Sequence, residues 1–408
     1  MDCPKLRNIN AFPVKDSGKT LVCLQDTQNV SERALFLSPP LYFIVSLFDG
    51  QHSILDIQAE YRRRFGEFLY TEKLQEIVGQ LDDNLFLEGE RFQEALRQKE
   101  EVFMEASFRE AVFAGKSYEA DPERLRAQIG GYFEGTDGPG PIGKRKSIKG
   151  LKGVVAPHID FNRGGPCYAF AHREIWERNG SPCFIIFGTA HTPMENPFCL
   201  TRKDFVTPLG TLNVDRELVD AVQSRCPDDL FKDEIVHRGE HSIEFQCVFL
   251  RYLFPESDSV KIVPILTGSF HEAIEKGISP MELKPIQQFI DAVKETVSSL
   301  RREVCYIASA DLAHMGIQFG DREGVSEYGL RVISQQDREM LGYAEKTDGE
   351  AFFDSISRER DRRNICGLPP IYLMLKVLEA REGKLLKYNQ AFTPETKSVV
   401  TFASLAFY

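Results

Sequence analysis

Apolar residues in this chain gather in short runs that end abruptly in polar clusters, the pattern expected of β-strands. These runs fall at 151–157, 182–188, 260–266 and 303–309, with a last one from Ser398 to Ala406. Between them the apolar spacing turns helical and predicts helices over 215–224, 241–254, 284–300, 324–343 and 369–380. Strands alternating with helices predict an α/β domain in which helices flank a central sheet. Internal repeats and low-complexity tracts are absent.

The first part of the chain reads differently. Leu21–Leu24 and Ala34–Leu37 are short strand candidates, after which Ser38-Pro39-Pro40 starts a helix with Leu41, Ile44, Val45 and Phe48 at helical spacing. Ser53 caps a second helix, with Asp56 placed for a capping box and Ile54, Ile57, Tyr61 and Phe65 on one face. A third helix spans 72–81, and Asn84–Glu88 reads as a wing strand. Residues 1–91 therefore predict a small winged-helix-like module, 92–107 a charged linker helix, and 108–408 the α/β domain. Within the last, Asp121 caps a helix that has Pro122 at its first position, and 135–143 is a turn-rich loop. The neighbouring Lys144-Arg145-Lys146 reads as solvated surface.

Charge narrows the choice of partner. Residues 1–91 carry ten Lys/Arg against fourteen Asp/Glu, and the only basic cluster is Arg62-Arg63-Arg64. A DNA-reading winged helix needs a basic face, so the outline points to protein or peptide docking and away from nucleic acid. The whole chain, 408 residues with a net charge of −11 and a pI near 5.4, is no general polyanion binder. No apolar run is long enough to insert in a membrane, and the first residues lack the apolar stretch of a signal peptide. Nine cysteines without a C-x-x-C pair fit a reducing cytoplasm with mostly buried thiols.

The chemistry-bearing residues cluster at the ends of the strand runs. His158 follows the first, His191 the second, and Asp311 and His314 the fourth, while His241 opens a helix inside Glu240-His241-Ser242-Ile243-Glu244. Parallel strand ends of one sheet converge, so imidazoles from separate loops can meet in a mononuclear site for iron, zinc or copper. Asp160 and Asp311 are candidate orienting partners for those rings, and His241 with Glu244 are candidate cofactor-binding residues. His52, His172, His237 and His271 read as surface or capping groups. Cys366 lies in a tight turn before a proline-started helix, a position that argues for a lowered thiol pKa.

Six motifs in order give the region from about 108 to 408 a family resemblance. They are Ala156-Pro157-His158 with Gly164-Gly165, Gly188-Thr189-Ala190-His191, Thr207-Pro208-Leu209-Gly210 with Asp215, Glu240 to Glu244, Ser309 to His314, and Asn364-Ile365-Cys366-Gly367. The region resembles the Memo-like family, which implies a fold like that of class III extradiol dioxygenases. The resemblance implies metal ligands at His158, His191 and Cys366, and an acid/base role for His314 with Asp311 beside it. Fe(II) is the implied metal, with Cu or Zn as alternatives, because thiolate in place of the dioxygenase carboxylate favours copper(I), zinc or altered iron chemistry. The chain departs from its relatives in Asn162-Arg163 and in Gly188-Thr189-Ala190-His191. The first module resembles PqqD-like modules through its D-G-x-x-S-I-x-x-I run and closing L-x-x-x-x-F-L, which implies a peptide or a radical-SAM protein as partner. Two functions follow from these resemblances. One is a metal-dependent, dioxygenase-like oxidoreductase acting on a small molecule or peptide. The other is a non-catalytic module whose pocket and docking domain bind a peptide or protein.

Overall fold

Every residue of Gly153–Ala156 and of Cys183–Thr189 is buried, so neither strand faces water and other layers must cover both of its sides. The structure, a computed structural model, describes residues 2–16, 18–26, 30–31, 33–143, 150–178, 183–255 and 260–408. Lys144-Arg145-Lys146 and Pro182 lie outside the described residues. The chain divides into two compact units, Met1–Ala106 and Ser107–Tyr408.

The first unit opens with an antiparallel sheet of β1 (Asn10–Asp16), β2 (Lys19–Gln25) and β3 (Leu35–Leu37), in that order. Four helices follow, Pro39–Ser46, Ile54–Phe65, Thr71–Asp83 and Glu90–Glu105. Both halves of the Ser53–Asp56 capping box form, and Gly66 ends that helix in the left-handed conformation. Leu24, Val45, Ile57, Leu74 and Phe86 are fully buried at its core. The wing strand expected at 84–88 is not a strand. Leu85 takes a left-handed φ of 63°, which breaks an extended run, and Leu87 makes a single bridge to Leu6 while its side chain enters the core. The helix over 90–105 buries Phe92 and Phe103 and is part of this first unit.

The second unit is built on one mixed sheet of eleven strands. In chain order they are β4 (Phe108–Arg109), β5 (Gly153–Ala156), β6 (Cys183–Thr189), β7 (Phe198–Leu200), β8 (Asp204–Thr207), β9 (Gly210–Val214), β10 (Lys261–Thr267), β11 (Val304–Ser309), β12 (Asp311–Met315), β13 (Gly383–Thr393) and β14 (Ser398–Phe407). Across the sheet the order is β12-β14-β5-β11-β6-β10-β9-β8-β4, with β13 on β14 and β7 on β10. The neighbours β5, β11, β6 and β10 run parallel, and β14 lies antiparallel to β5. Helices Phe161–Arg178, Ser242–Leu253, Lys284–Ser299, Glu327–Glu345 and Leu368–Val377 flank the sheet. Ser242–Leu253 is buried along nearly all its length, which is why its sequence reads apolar on every face.

Register decides where the strand ends fall. Ser309 of β11 pairs with Ala156 on one side and Gly188 on the other, and Thr267 pairs with Thr189. The carboxyl ends of four parallel strands are therefore level, and the segments after β5, β6 and β11 emerge side by side.

Candidate metal centre

Those three segments carry His158, His191 and Asp311, and the start of the buried helix Ser242–Leu253 brings His241 beside them. Among the described residues, one ligand atom from each of His158, His191 and His241 lies within 4.8 Å of the other two. The rings touch pairwise, with centroids 4.8 to 5.4 Å apart.

Each ring has one nitrogen committed. His158 Nδ1 lies 3.0 Å from the carbonyl oxygen of Ser309, which can only accept, so Nδ1 carries the hydrogen. His191 Nδ1 and His241 Nδ1 each lie 3.1 Å from the carboxylate of Glu240. Glu240 also accepts the main-chain N–H groups of His191, His241 and Ser242 at 2.9, 2.7 and 3.0 Å. Burial opposes its charge, but His191 and His241 outweigh burial and hold its carboxyl well below the usual range. The same carboxylate, with Asp311, outweighs burial at His191 and raises the pKa of that ring. Burial, with His191 and His241 beside it, holds His158 well below its ordinary value. With every Nδ1–H engaged, the Nε2 lone pairs are what the three rings could offer a metal ion. Oxygen acceptors behind imidazole ligands are the usual support of a transition-metal site, and iron, copper and zinc all accept this donor set.

Cys366 and Asp311 adjoin this group. The Cys366 sulfur is 3.3 Å from His158 Nε2 and 3.6 Å from the Asp311 carbonyl oxygen. Its position near a helix start argued for a lowered pKa. Instead burial, with Asp311 adding to it, pushes the thiol well above its usual value. Gly367 makes this turn feasible, because a Cβ there would lie 2.3 Å from the Asp311 carbonyl oxygen. The buried Asp311 carboxyl accepts the His158 N–H at 3.0 Å, and burial pushes its pKa up to about 7. His314, on β12, lies outside the group of three. Its Nδ1 faces the carbonyls of Leu312 and Asn364 at 3.0 and 3.2 Å, and burial brings its pKa down to about 4.

Two expected partners are engaged elsewhere. The structure does not bring Glu244 to the imidazoles. Its buried carboxylate binds Arg109 and the Tyr118 hydroxyl, and accepts Val112 and Phe113 N–H at 3.2 and 3.0 Å. Asp160 pairs with Arg163. His241, read from sequence as cofactor-binding, stands with His158 and His191. Glu240, which opens the same motif as His241, holds both His191 and His241, an arrangement that depends on a loop approaching from another strand. His172 and His237 are fully buried, not surface groups, and burial lowers them to about 4 and about 3. Gln246, one helical turn past the histidine loop, also went unread. Its Nε2 donates to the Pro157 carbonyl at 2.7 Å and to Ser309 Oγ at 2.8 Å, tying the ends of β5 and β11 together.

The sequence profile of the family described as "Memo-like protein" matches residues 109–406, which include all of these side chains. The chain belongs to the Memo-like family. A MEMO1 family protein of Aquifex aeolicus is 29% identical over 408 residues, covering 99% of this chain and 100% of that protein. One from Methanopyrus kandleri is 28% identical over 309 residues, covering 73% of this chain and 98% of its own length. One from Methanobrevibacter smithii is 32% identical over 251 residues, 58% of this chain and 83% of that protein. The Memo-like chain and the Aquifex aeolicus protein thus align through both compact units. No helix among the described residues is long and apolar enough to cross a membrane.

Proposed function

We propose that this Memo-like chain is a non-haem metal protein in which His158, His191 and His241 hold one transition-metal ion, with Cys366 as an adjoining donor, and that it performs dioxygenase-like redox chemistry on a small molecule or peptide. Iron(II) is the first choice of metal, and copper and zinc are the alternatives the same donors accept. The observation that carries the reading is the set of three imidazoles whose Nδ1–H groups are all held by oxygen acceptors, with the rings within 4.8 Å at their ligand atoms. When bound, the ion would supply a Lewis-acidic, redox-active centre. The chain's own residues do the rest. Glu240 orients two rings, Asp311 and Ser309 fix the third, and His314 offers a neutral Nε2 that can take up a proton. None of the nine cysteines is in a disulfide, which supports a reducing, cytoplasmic setting.

Anaerobic purification followed by metal analysis tests the reading. One equivalent of metal in the wild type and loss of it in His158→Ala are expected. A metal-free wild type after iron, copper and zinc supplementation, or unchanged content in the variant, would overturn it.

The first unit we assign to PqqD-like docking of a peptide or a radical-SAM partner. Support comes from large apolar side chains left in water there: Phe36 is 58% exposed, Phe68 67%, Tyr70 72% and Leu55 74%. The full chain carrying Phe68→Ala and Tyr70→Ala should lose affinity for such a partner and keep its metal. Unchanged binding would remove these residues from the docking surface.

A further inference from the structure

We propose that Asn364 is a positioning residue for His314, setting which ring nitrogen of that histidine can take up a proton. The proposal rests on the reading of His314 as a proton acceptor given above.

The His314 ring presents Nδ1 to two carbonyl oxygens, that of Leu312 at 3.0 Å and that of Asn364 at 3.2 Å. Carbonyls only accept, so Nδ1 carries the hydrogen and the neutral ring keeps its lone pair on Nε2. Asn364 grips the same residue again through its side chain, whose Nδ2 donates to the His314 carbonyl oxygen at 3.1 Å. Next to it, the Arg363 carbonyl accepts the His314 N–H at 2.7 Å. Ring and main chain of His314 are thus held from one short loop.

That loop is strained and well supported. Asn364 has φ 51°, and Arg360 and Asp361 have 55° and 50°, all in the left-handed region that residues with a Cβ seldom adopt. Asparagine tolerates this region better than most, and such a conformation persists only where the surroundings enforce it. Here they do. Asp361 accepts Asn364 N–H through its carbonyl at 2.9 Å and Ile365 N–H through its carboxylate at 2.8 Å. Arg363 is buried and binds Asp337 and Glu359. Asp337 in turn accepts the Thr401 hydroxyl at 2.6 Å and the Tyr388 hydroxyl at 2.9 Å. Thr401 Oγ1 accepts the N–H of Ala313, the residue before His314, at 2.9 Å. One buried carboxylate therefore anchors both the clamp loop and the strand that it clamps.

Nitrogen NMR of the metal-free, full-length chain, labelled at histidine, reads the tautomer directly above neutral pH. In the wild type His314 should be almost wholly Nδ1–H. Asn364→Gly relaxes the backbone, and Asn364→Asp keeps the left-handed tolerance but loses the donor. Each loosens the loop that aims the Asn364 carbonyl at Nδ1, and loss of that one hydrogen bond should move the tautomer ratio toward Nε2–H by about five- to tenfold while the His158 signals stay in place. A wild-type His314 in the Nε2–H form would overturn the proposal. So would an unchanged ratio in the folded variants, which would leave Asn364 a purely structural role seen only in the urea midpoint. Should Asn364→Gly fail to fold, Asn364→Asp and the wild type still decide. Because no metal is present, a failure of metal binding is read separately and does not touch this result.

Discussion

Glu240 meets His191 twice through one oxygen, Oε2 accepting the main-chain N–H at 2.9 Å and the ring Nδ1–H at 3.1 Å. Main chain and ring are thereby locked in one orientation, and the other oxygen does the same work for His241. An amide in its place has one acceptor oxygen for five donors. Glu240→Gln should therefore weaken metal binding by about 10- to 100-fold, the usual cost of losing an orienting partner. Chelator competition measures it, and affinity equal to wild type would show that the rings are held by packing alone.

Two buried histidines away from the centre predict how stability changes with acid. His172 donates Nδ1–H to the Tyr168 carbonyl at 3.0 Å and has no partner for Nε2, and His237 donates Nε2–H to the Cys199 carbonyl at 3.2 Å. Burial lowers them from 6.5 to about 4 and about 3. Below pH 6.5 the unfolded chain takes up these protons and the folded chain does not, so stability falls as pH falls. Each should cost about 1.4 kcal/mol per pH unit until its folded value is reached. His172→Phe keeps an aromatic ring packed on Phe249 and removes the orphaned nitrogen. Its urea midpoint should match or exceed wild type near neutral pH and fall less steeply toward pH 5. An identical pH profile would count against burial of a neutral His172.

The Arg109–Glu244 pair is fully buried, and Arg109 also donates to the carbonyls of His237, Glu110 and Glu240 at 3.0, 2.8 and 2.7 Å. Removing one partner leaves the other charged and dry. Arg109→Met should cost about 3–5 kcal/mol in urea unfolding, with much of it recovered when Glu244→Leu is added. A loss under about 1 kcal/mol would mean that water reaches Glu244.

Gly188 lies where β6 passes under the helix that carries His241. A Cβ there would sit 2.6 Å from both Ser242 Oγ and Ile243 Cγ1. Gly188→Ala should cost about 1–3 kcal/mol and lower metal affinity, because the relief must come from moving the helix start away from His191. Crystallography of the variant would show that shift. Wild-type stability and affinity would show that the helix has slack here.

The parts of the fold that could be read early share a cause. β5, β6, β10 and β11 are buried on both faces, so their composition alone marks them, and the capped helices carry local signals at Ser53 and Asp121. β13 was missed because it is half-buried at all but Lys384 and Phe392, which are exposed, and its sequence, GKLLKYNQAFT, has no clean alternation. The short strands β7, β8 and β9 are defined by their pairing, which no local pattern displays. At the site, histidines past strand ends were legible because position in a parallel sheet constrains them. Which rings Glu240 would hold was not, since His191 and His241 come from separate elements. Cys366 shows the reverse case, where a local helix-end argument gave the wrong direction because burial outweighed it.

The place of β14 has a consequence for how the centre comes into being. It fills the gap between β5 and β12, so the strand that presents His158 lacks one neighbour until residues 398–407 have left the ribosome. A nascent chain that has completed β5, β6 and β11 still exposes an unpaired, wholly apolar edge beside His158, open to pairing with other chains. Contacts between segments so distant in the chain form late. The sheet beside His158 is therefore complete only once residues 398–407 are made, and any ion the three imidazoles hold would enter a centre finished late.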